Sequence, residues 1–230
     1  MLFRSDDGTE LAGESRISAA GKRIRRVQLD PPDVKPLPAA LEAIREADAI
    51  LIGPGSLYTS VLPPLLVPGL AETLRASPAP KIYICNVMTQ PGETDGYAAS
   101  HHVRALLDHL GRGCIDYVVV NDQPVSREQA LRYREQGAYP VQPDVERIRR
   151  LGIQVVARPL IHETVLVRHD PARLAATVME VVFAHRASRD GKRIADFYLN
   201  GFAPRWRRAG AGRRPGEAAA GAGNAGAGKM

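Results

Sequence analysis

From Pro38 onward the apolar residues follow two alternating rhythms. In "PAALEAIREAD" they recur at helical spacing, with Ala40, Leu41, Ile44 and Ala47 on one face, and Pro38 suits a first helical turn. Ala49–Ile52 is then a short, wholly apolar run, the mark of a strand covered on both faces. The unit repeats. "GLAETLRAS" predicts a helix and "KIYICN" a strand. "SHHVRALLDHLG" predicts a helix with Val103, Leu106, Leu107 and Leu110 inward and Gly111 as its C-terminal cap, ahead of the strand "DYVVVN". Ser126 and Gln129 stand at capping-box spacing at the head of "SREQALRYREQG". "DVERIRRLG" reads as a helix, and "IQVVA" and "ETVLV" read as strands. "DPARLAATVMEVVFAHR" is the longest helix, with Asp170 as its cap and Pro171 in its first turn. Before Pro31 the pattern is β-like: "TELAGESRI" and "KRIRRVQL" are short segments in which Val27 and Leu29 alternate with polar neighbours.

Apolar strands alternating with amphipathic helices predict an α/β fold. The expected core is a mainly parallel, Rossmann-like sheet flanked by helices, with a small antiparallel β element at 9–30. Such sheets bind ligands at the carboxyl ends of their strands. The two most unusual loops both follow strands.

The first is "GPGSLYTS", after Ile52. Gly53 and Gly55 permit close backbone approach and φ > 0, and Pro54 stiffens the turn between them. Ser56, Thr59 and Ser60 can donate to phosphate or sugar oxygens, and a helix starting near Thr59 adds free N–H groups. A tight strand-to-helix turn capped by a serine explains the same letters equally well, and no lysine follows the glycines as in a Walker A loop. The second loop, "NVMTQPGETDGY", crowds Asn86, Thr89, Gln90, Glu93, Thr94 and Asp95 together. Asn and Gln suit hydroxyl or base-edge recognition, and Glu93 or Asp95 suits a base or a Mg²⁺ ligand beside phosphates. Plain turn shaping by Gly92 and Gly96 and capping of the next helix is the competing reading. Arg168 can reach a phosphate at the ligand edge, whereas His169 and Asp170 read as capping residues.

Composition narrows the field. At 230 residues, 44% of them hydrophobic, the chain has room for one substantial core, filled by aliphatic residues because only 5% are aromatic. Cys85 and Cys114 form no CxxC pair and lie in apolar surroundings, which predicts buried reduced thiols in a cytoplasmic protein. No apolar run approaches the roughly 18–20 residues that cross a bilayer, and "MLFRSDDGTE" lacks the apolar stretch of a secretory signal. The net charge of +6 belongs mostly to residues 205–230, where five Arg and one Lys face a single Glu. That Gly/Ala-rich segment predicts a disordered basic tail, and residues 1–204 a nearly neutral α/β domain with nothing to support nucleic-acid binding.

"ADAILIGPGSLYTSVLPPLLVPGL", "KIYICNVMTQPGETDGYAASHHVRALLDHLG" and "LVRHDPARLA" together resemble the YvcK-like family of gluconeogenesis factors, which is related in fold to 2-phospho-L-lactate transferase. The likeness runs from about Gly8 to Val182. It implies a cytoplasmic bacterial protein that binds UDP-sugars such as UDP-N-acetylglucosamine and serves gluconeogenic growth, cell shape and peptidoglycan supply. Carried onto this chain, the nucleotide-sugar or phosphate contacts fall on Gly53, Gly55, Ser56, Leu57, Tyr58, Thr59 and Ser60. Asn86, Met88, Thr89, Gln90, Glu93 and Thr94 follow from the second loop, with Arg168 to neutralise charge. The transferase relatives imply the alternative: a phosphorus-group transfer to a hydroxyl, with Mg²⁺ as its cofactor and Glu93 or Asp95 assisting. A third reading gives the function to the basic tail as an interaction segment. Members of the family begin with a strand and a Gly-rich turn of the GGGTG kind, and no such turn is present here. The expectation is therefore a sheet truncated at its N-terminal side. Its bare strand edge would associate with a second copy or with a separate N-terminal half.

Overall fold

The computed structural model describes residues 1–13, 16, 20–163 and 166–190. It opens with β1 (Leu2–Ser5), β2 (Glu10–Ala12) and β3 (Ile24–Gln28), an antiparallel sheet in the order β2-β1-β3. This element begins at Leu2, ahead of the expected residue 9, because "LFRS" supplies the central strand to which the other two pair. Most of the "GESRI" stretch between β2 and β3 lies outside the described residues, as does the tail from Arg205.

Next come α1 (Pro38–Glu46) and β4 (Ile50–Ile52), then a π-helical turn over Leu57–Val61 that runs directly into α2 (Leu62–Leu65) and on to α3 (Leu70–Ala76). After β5 (Lys81–Ile84), helix α4 (Ala99–Leu110) leads to β6 (Tyr117–Asn121), and α5 (Arg127–Glu135) with α6 (Val145–Arg150) leads to β7 (Gln154–Arg158). These four strands form one parallel sheet in the order β4-β5-β6-β7. Their alternation sets two core faces. Ile52, Tyr83, Cys85, Val118 and Val120 pack with α4, α6 and the antiparallel sheet, whereas Ile82, Ile84, Tyr117 and Val119 pack against α7 (Pro171–Asp190). Both cysteines are buried free thiols, and burial pushes the Cys85 thiol up to about 12.

The strand expected over "ETVLV" is corrected. Its paired residues are Val167–His169 (β9), and they run antiparallel to β8 (Ile161–Glu163) in a separate ribbon instead of joining the parallel sheet. The cause is a turn just after β7. Leu160 donates its N–H to Asn121 Oδ1 (3.0 Å) and its carbonyl accepts from Asp170 N (2.6 Å), which folds the ribbon back over the strand ends. Asp170 is the expected cap, its Oδ1 accepting from Ala172 N (2.9 Å) and Arg173 N (3.0 Å). Among the described residues β4 pairs only with β5, and Leu51 on it is 50% exposed. No described helix is long and apolar enough to cross a membrane.

Candidate functional site

β4 and β5 run parallel with Ile52 opposite Tyr83, so the loops leaving their carboxyl ends start side by side. Gly53 makes the first turn at φ +78°, and a Cβ there would lie 3.2 Å from the Ile84 carbonyl oxygen. Only glycine combines that dihedral with that approach. Gly55 then meets Asn86. Gly55 N donates to Asn86 Oδ1 (3.3 Å), and Asn86 Nδ2 donates to Gly55 O (2.8 Å). One side-chain amide thus satisfies both backbone groups of a residue in the other loop, as a neighbouring strand would. Gln90 adds a second tie, Nε2 donating to Ser56 Oγ (2.7 Å), and its Oε1 accepts from Asn86 Nδ2 (3.4 Å).

Glu93 closes the back of the pair. It is 6% exposed, and its oxygens accept from Thr59 Oγ1 (2.9 Å) and Tyr58 N (3.4 Å). Tyr58 and Tyr97 share a hydrogen bond between phenols (2.7 Å), and burial, then the neighbouring Tyr97, pushes the Tyr58 phenol far above its ordinary value. Leu57 and Leu62 have no exposed surface and bracket the π-helical turn. Burying each contributes about 1.5–3 kcal/mol, so the turn is anchored rather than draped over the sheet.

The expected site residues therefore divide. Gly53, Gly55, Ser56, Asn86 and Gln90 share one rim, with Gly53 exposed and the other four half-buried; Ser60 is exposed beside them. The side chains of Leu57 and Tyr58 belong to the core, and that of Met88 packs with Val87, Ile161 and Val167 under the β8–β9 ribbon. Thr59 is spent on Glu93. Thr89 and Tyr139 exchange two bonds, Thr89 N to Tyr139 O (2.7 Å) and Tyr139 N to Thr89 Oγ1 (2.9 Å), while Thr94 Oγ1 accepts from Gln90 N (2.8 Å). These residues shape the loops from inside. Arg168 projects exposed from β9, whose ribbon rests on the second loop through Val87 and Met88.

His169 is a residue that sequence reasoning assigned to capping alone. Its ring faces the backbone of Cys85, immediately before Asn86; burial lowers its pKa, and its Nε2 is buried without a partner among the described residues. The signal was the strand alternation of Val167 inside, Arg168 outside and His169 half-inside. As Mg²⁺ donors, Glu93 has both oxygens turned on the first loop and Asp95 accepts from Gly92 N (2.7 Å). Among the described residues no cluster of three or more such side chains forms a metal cage. The rim is built instead from neutral amides, a hydroxyl and backbone, and one exposed guanidinium, Arg168, stands on the ribbon that packs against the second loop. That is a donor set for phosphate and sugar oxygens.

Comparison with known proteins places these loops in a family context. Residues 2–161 match the profile of the family described as 2-phospho-L-lactate transferase CofD. The chain is 48% identical over 176 residues to a gluconeogenesis factor of Halalkalibacterium halodurans, covering 76% of this chain and 55% of the relative. It is 44% identical over 178 residues to the gluconeogenesis factor of Bacillus subtilis, covering 77% and 56%. A crystal structure of a UPF0052 family member from Bacillus halodurans superposes with a TM-score of 0.76 at 48% identity, over 77% of this chain and 57% of that one. The chain thus spans a little over half the length of the relatives it matches.

Proposed function

Because the chain belongs to the CofD family and stands among its gluconeogenesis factors, we propose that it binds a nucleotide sugar of the UDP-N-acetylglucosamine kind. On this reading it acts as a cytoplasmic regulator of gluconeogenic growth, cell shape and peptidoglycan supply. One observation carries the reading: the Asn86 amide clasps Gly55 while Gln90 holds Ser56, so two polar loops at adjacent strand ends make a single pre-formed rim. Pre-formed rims lose little ordering entropy when a flexible diphosphate arrives. In the complex the diphosphate lies along Gly53, Gly55 and Ser56, with Ser60 and Asn86 donating to phosphate or sugar oxygens. Arg168 supplies the positive charge and Gln90 fixes the sugar side.

The relatives carry length that this chain does not span, and among the described residues β4 has a free edge to which further strands can pair. We therefore assign the uridine end of the ligand to a segment that adds there, from the same polypeptide or another. The test is calorimetric titration of UDP-N-acetylglucosamine into this chain and into a fusion carrying the corresponding N-terminal segment of the Bacillus subtilis relative. Saturable binding by the fusion, lost on Arg168→Met, is expected. A folded fusion that takes up no ligand ends the proposal.

A second reading is favoured by the transferase description of the matching family. On it, the same rim holds a phospholactyl group while an acceptor hydroxyl attacks its phosphorus; the P–O bond to the nucleoside monophosphate breaks, the nucleotide leaves, and the hydroxyl proton passes to solvent. Mg²⁺, held by the ligand's own phosphates, would supply charge neutralisation there, and Glu93 keeps the first loop in place. Product from a guanylyl-activated phospholactate and a deazaflavin acceptor promotes this reading; an inert, ligand-binding fusion removes it.

A further inference from the structure

Behind the first loop a second cleft, of about 310 Å³, opens between the N-terminal antiparallel sheet and α4. Arg23 and Arg25 flank the buried Ile24 and line one side, while His101, Arg104 and Asp108 form one stripe of α4 on the other. Tyr58 and Tyr97, joined through their phenols, also line it.

Some of this lining is already spent. Arg23 faces Asp6 at 3.6 Å. His109 is saturated, its Nδ1 donating to Ala105 O (2.6 Å) and its Nε2 accepting from Val27 N (3.0 Å). The side chains of Arg25 and Arg104 make no hydrogen bond or ion pair among the described residues, and Asp108, one turn beyond Arg104, forms none with it. His101 accepts from Ala98 N through Nδ1 (3.0 Å), which leaves the proton of the neutral ring on Nε2 as a donor. The cleft thus offers two unpaired guanidiniums, one imidazole N–H and one carboxylate that can only accept.

We propose that this cleft is a second binding site, for a small phosphate ester of a polyol, held by Arg25, Arg104 and His101. The planar forks of the guanidiniums match phosphate oxygens. Asp108 accepts only, and the several hydroxyls of a polyol ester offer it donors beyond the phosphate, whereas inorganic phosphate has only the one or two P–OH groups of the body that the guanidiniums hold. The volume stands at the low end of small-molecule cavities, roughly 300–1,000 Å³, and suits a monosaccharide-sized body. An occupant touches Tyr58, the residue whose N–H Glu93 holds, so the site borders the first loop from its inner side. The proposal does not depend on the nucleotide-sugar reading.

Glucose 6-phosphate, glucose and inorganic phosphate, each titrated calorimetrically into the full chain at low salt, test it. Glucose 6-phosphate should saturate and bind more tightly than either part. The double variant Arg25→Met/Arg104→Met should weaken it by at least about tenfold. Asp108→Asn should narrow the preference for ester over inorganic phosphate, and Arg168→Met, at the other site, should leave both affinities in place. All substituted positions are exposed, and unchanged melting confirms folding. No saturation by glucose 6-phosphate up to about 20 mM overturns the proposal. So does equal binding by the folded double variant, or equal affinity for ester and inorganic phosphate.

Discussion

Asn86→Asp changes almost no volume and tests the clasp directly. The carboxylate still accepts from Gly55 N, but the two donations of Asn86 Nδ2 are lost: to Gly55 O at 2.8 Å and to Gln90 Oε1 at 3.4 Å. One good neutral hydrogen bond contributes about 1 kcal/mol net, and setting a half-buried carbonyl against a carboxylate adds about 1–2 kcal/mol. The expected destabilisation is therefore about 2–3 kcal/mol, or a melting point lower by roughly 5–10 °C for a domain of this size. Asn86→Ala removes all three bonds without placing an anion against the Gly55 carbonyl, and should cost less, about 1–2 kcal/mol. Circular-dichroism melts at neutral pH read both values. In the N-terminally extended fusion the Asp variant should also bind UDP-N-acetylglucosamine more than about tenfold more weakly, since the new charge stands in a phosphate rim. An exposed loop residue with no tertiary role would shift stability by no more than about 0.5 kcal/mol. An Asp variant melting within a degree of the parent, or an Ala variant clearly worse than Asp, would refute the reasoning.

Other expectations follow from the same structure. Gly53→Ala forces a Cβ into a left-handed residue 3.2 Å from a carbonyl oxygen and should cost about 1–3 kcal/mol by chemical denaturation, with m unchanged; Gly8→Ala, with open space around it, isolates the dihedral part of that cost. Burial, then the adjacent His101, lowers the His102 pKa to about 4. The unfolded chain therefore takes up that proton first as pH falls below about 6.5, and stability drops between there and pH 4, by up to about 3 kcal/mol. Below that window both states are protonated and the loss levels off. Stability curves across this range should flatten in His102→Gln, and an identical slope would contradict the assignment. Cys85, its thiol raised to about 12 by burial, should resist alkylation at pH 8 in the folded protein and react in denaturant, as counted by mass spectrometry.

The parallel sheet was legible because its strands are short, continuous apolar runs and its helices carry period 3.6, both local signals. Ile82 and Ile84 on one face, with Tyr83 and Cys85 on the other, read directly from "KIYICN". The two loops were legible too, through glycines and hydroxyls placed after strands. What those hydroxyls do was not. Thr59 reaches Glu93 across 34 residues, Gly55 reaches Asn86 across 31 and Tyr58 reaches Tyr97 across 39, and no local pattern encodes such partners. Half the apparent ligand groups are therefore internal ties, a distinction that only packing makes. The antiparallel β8–β9 ribbon escaped for a similar reason. Strand character in "ETVLV" is local, but its partner is chosen by the turn that Asn121 and Leu160 fix. His169 entered the site on that ribbon.

Amide chemical-shift mapping on the ¹⁵N-labelled, N-terminally extended fusion tests the central claim most directly, namely that the loops after β4 and β5 are one rim for an anionic sugar nucleotide. Addition of UDP-N-acetylglucosamine should move the backbone amides of Gly53, Gly55 and Ser56 and the side-chain amides of Asn86 and Gln90 together, with one common saturation curve. Shifts confined to one loop, or to residues away from both, would contradict it.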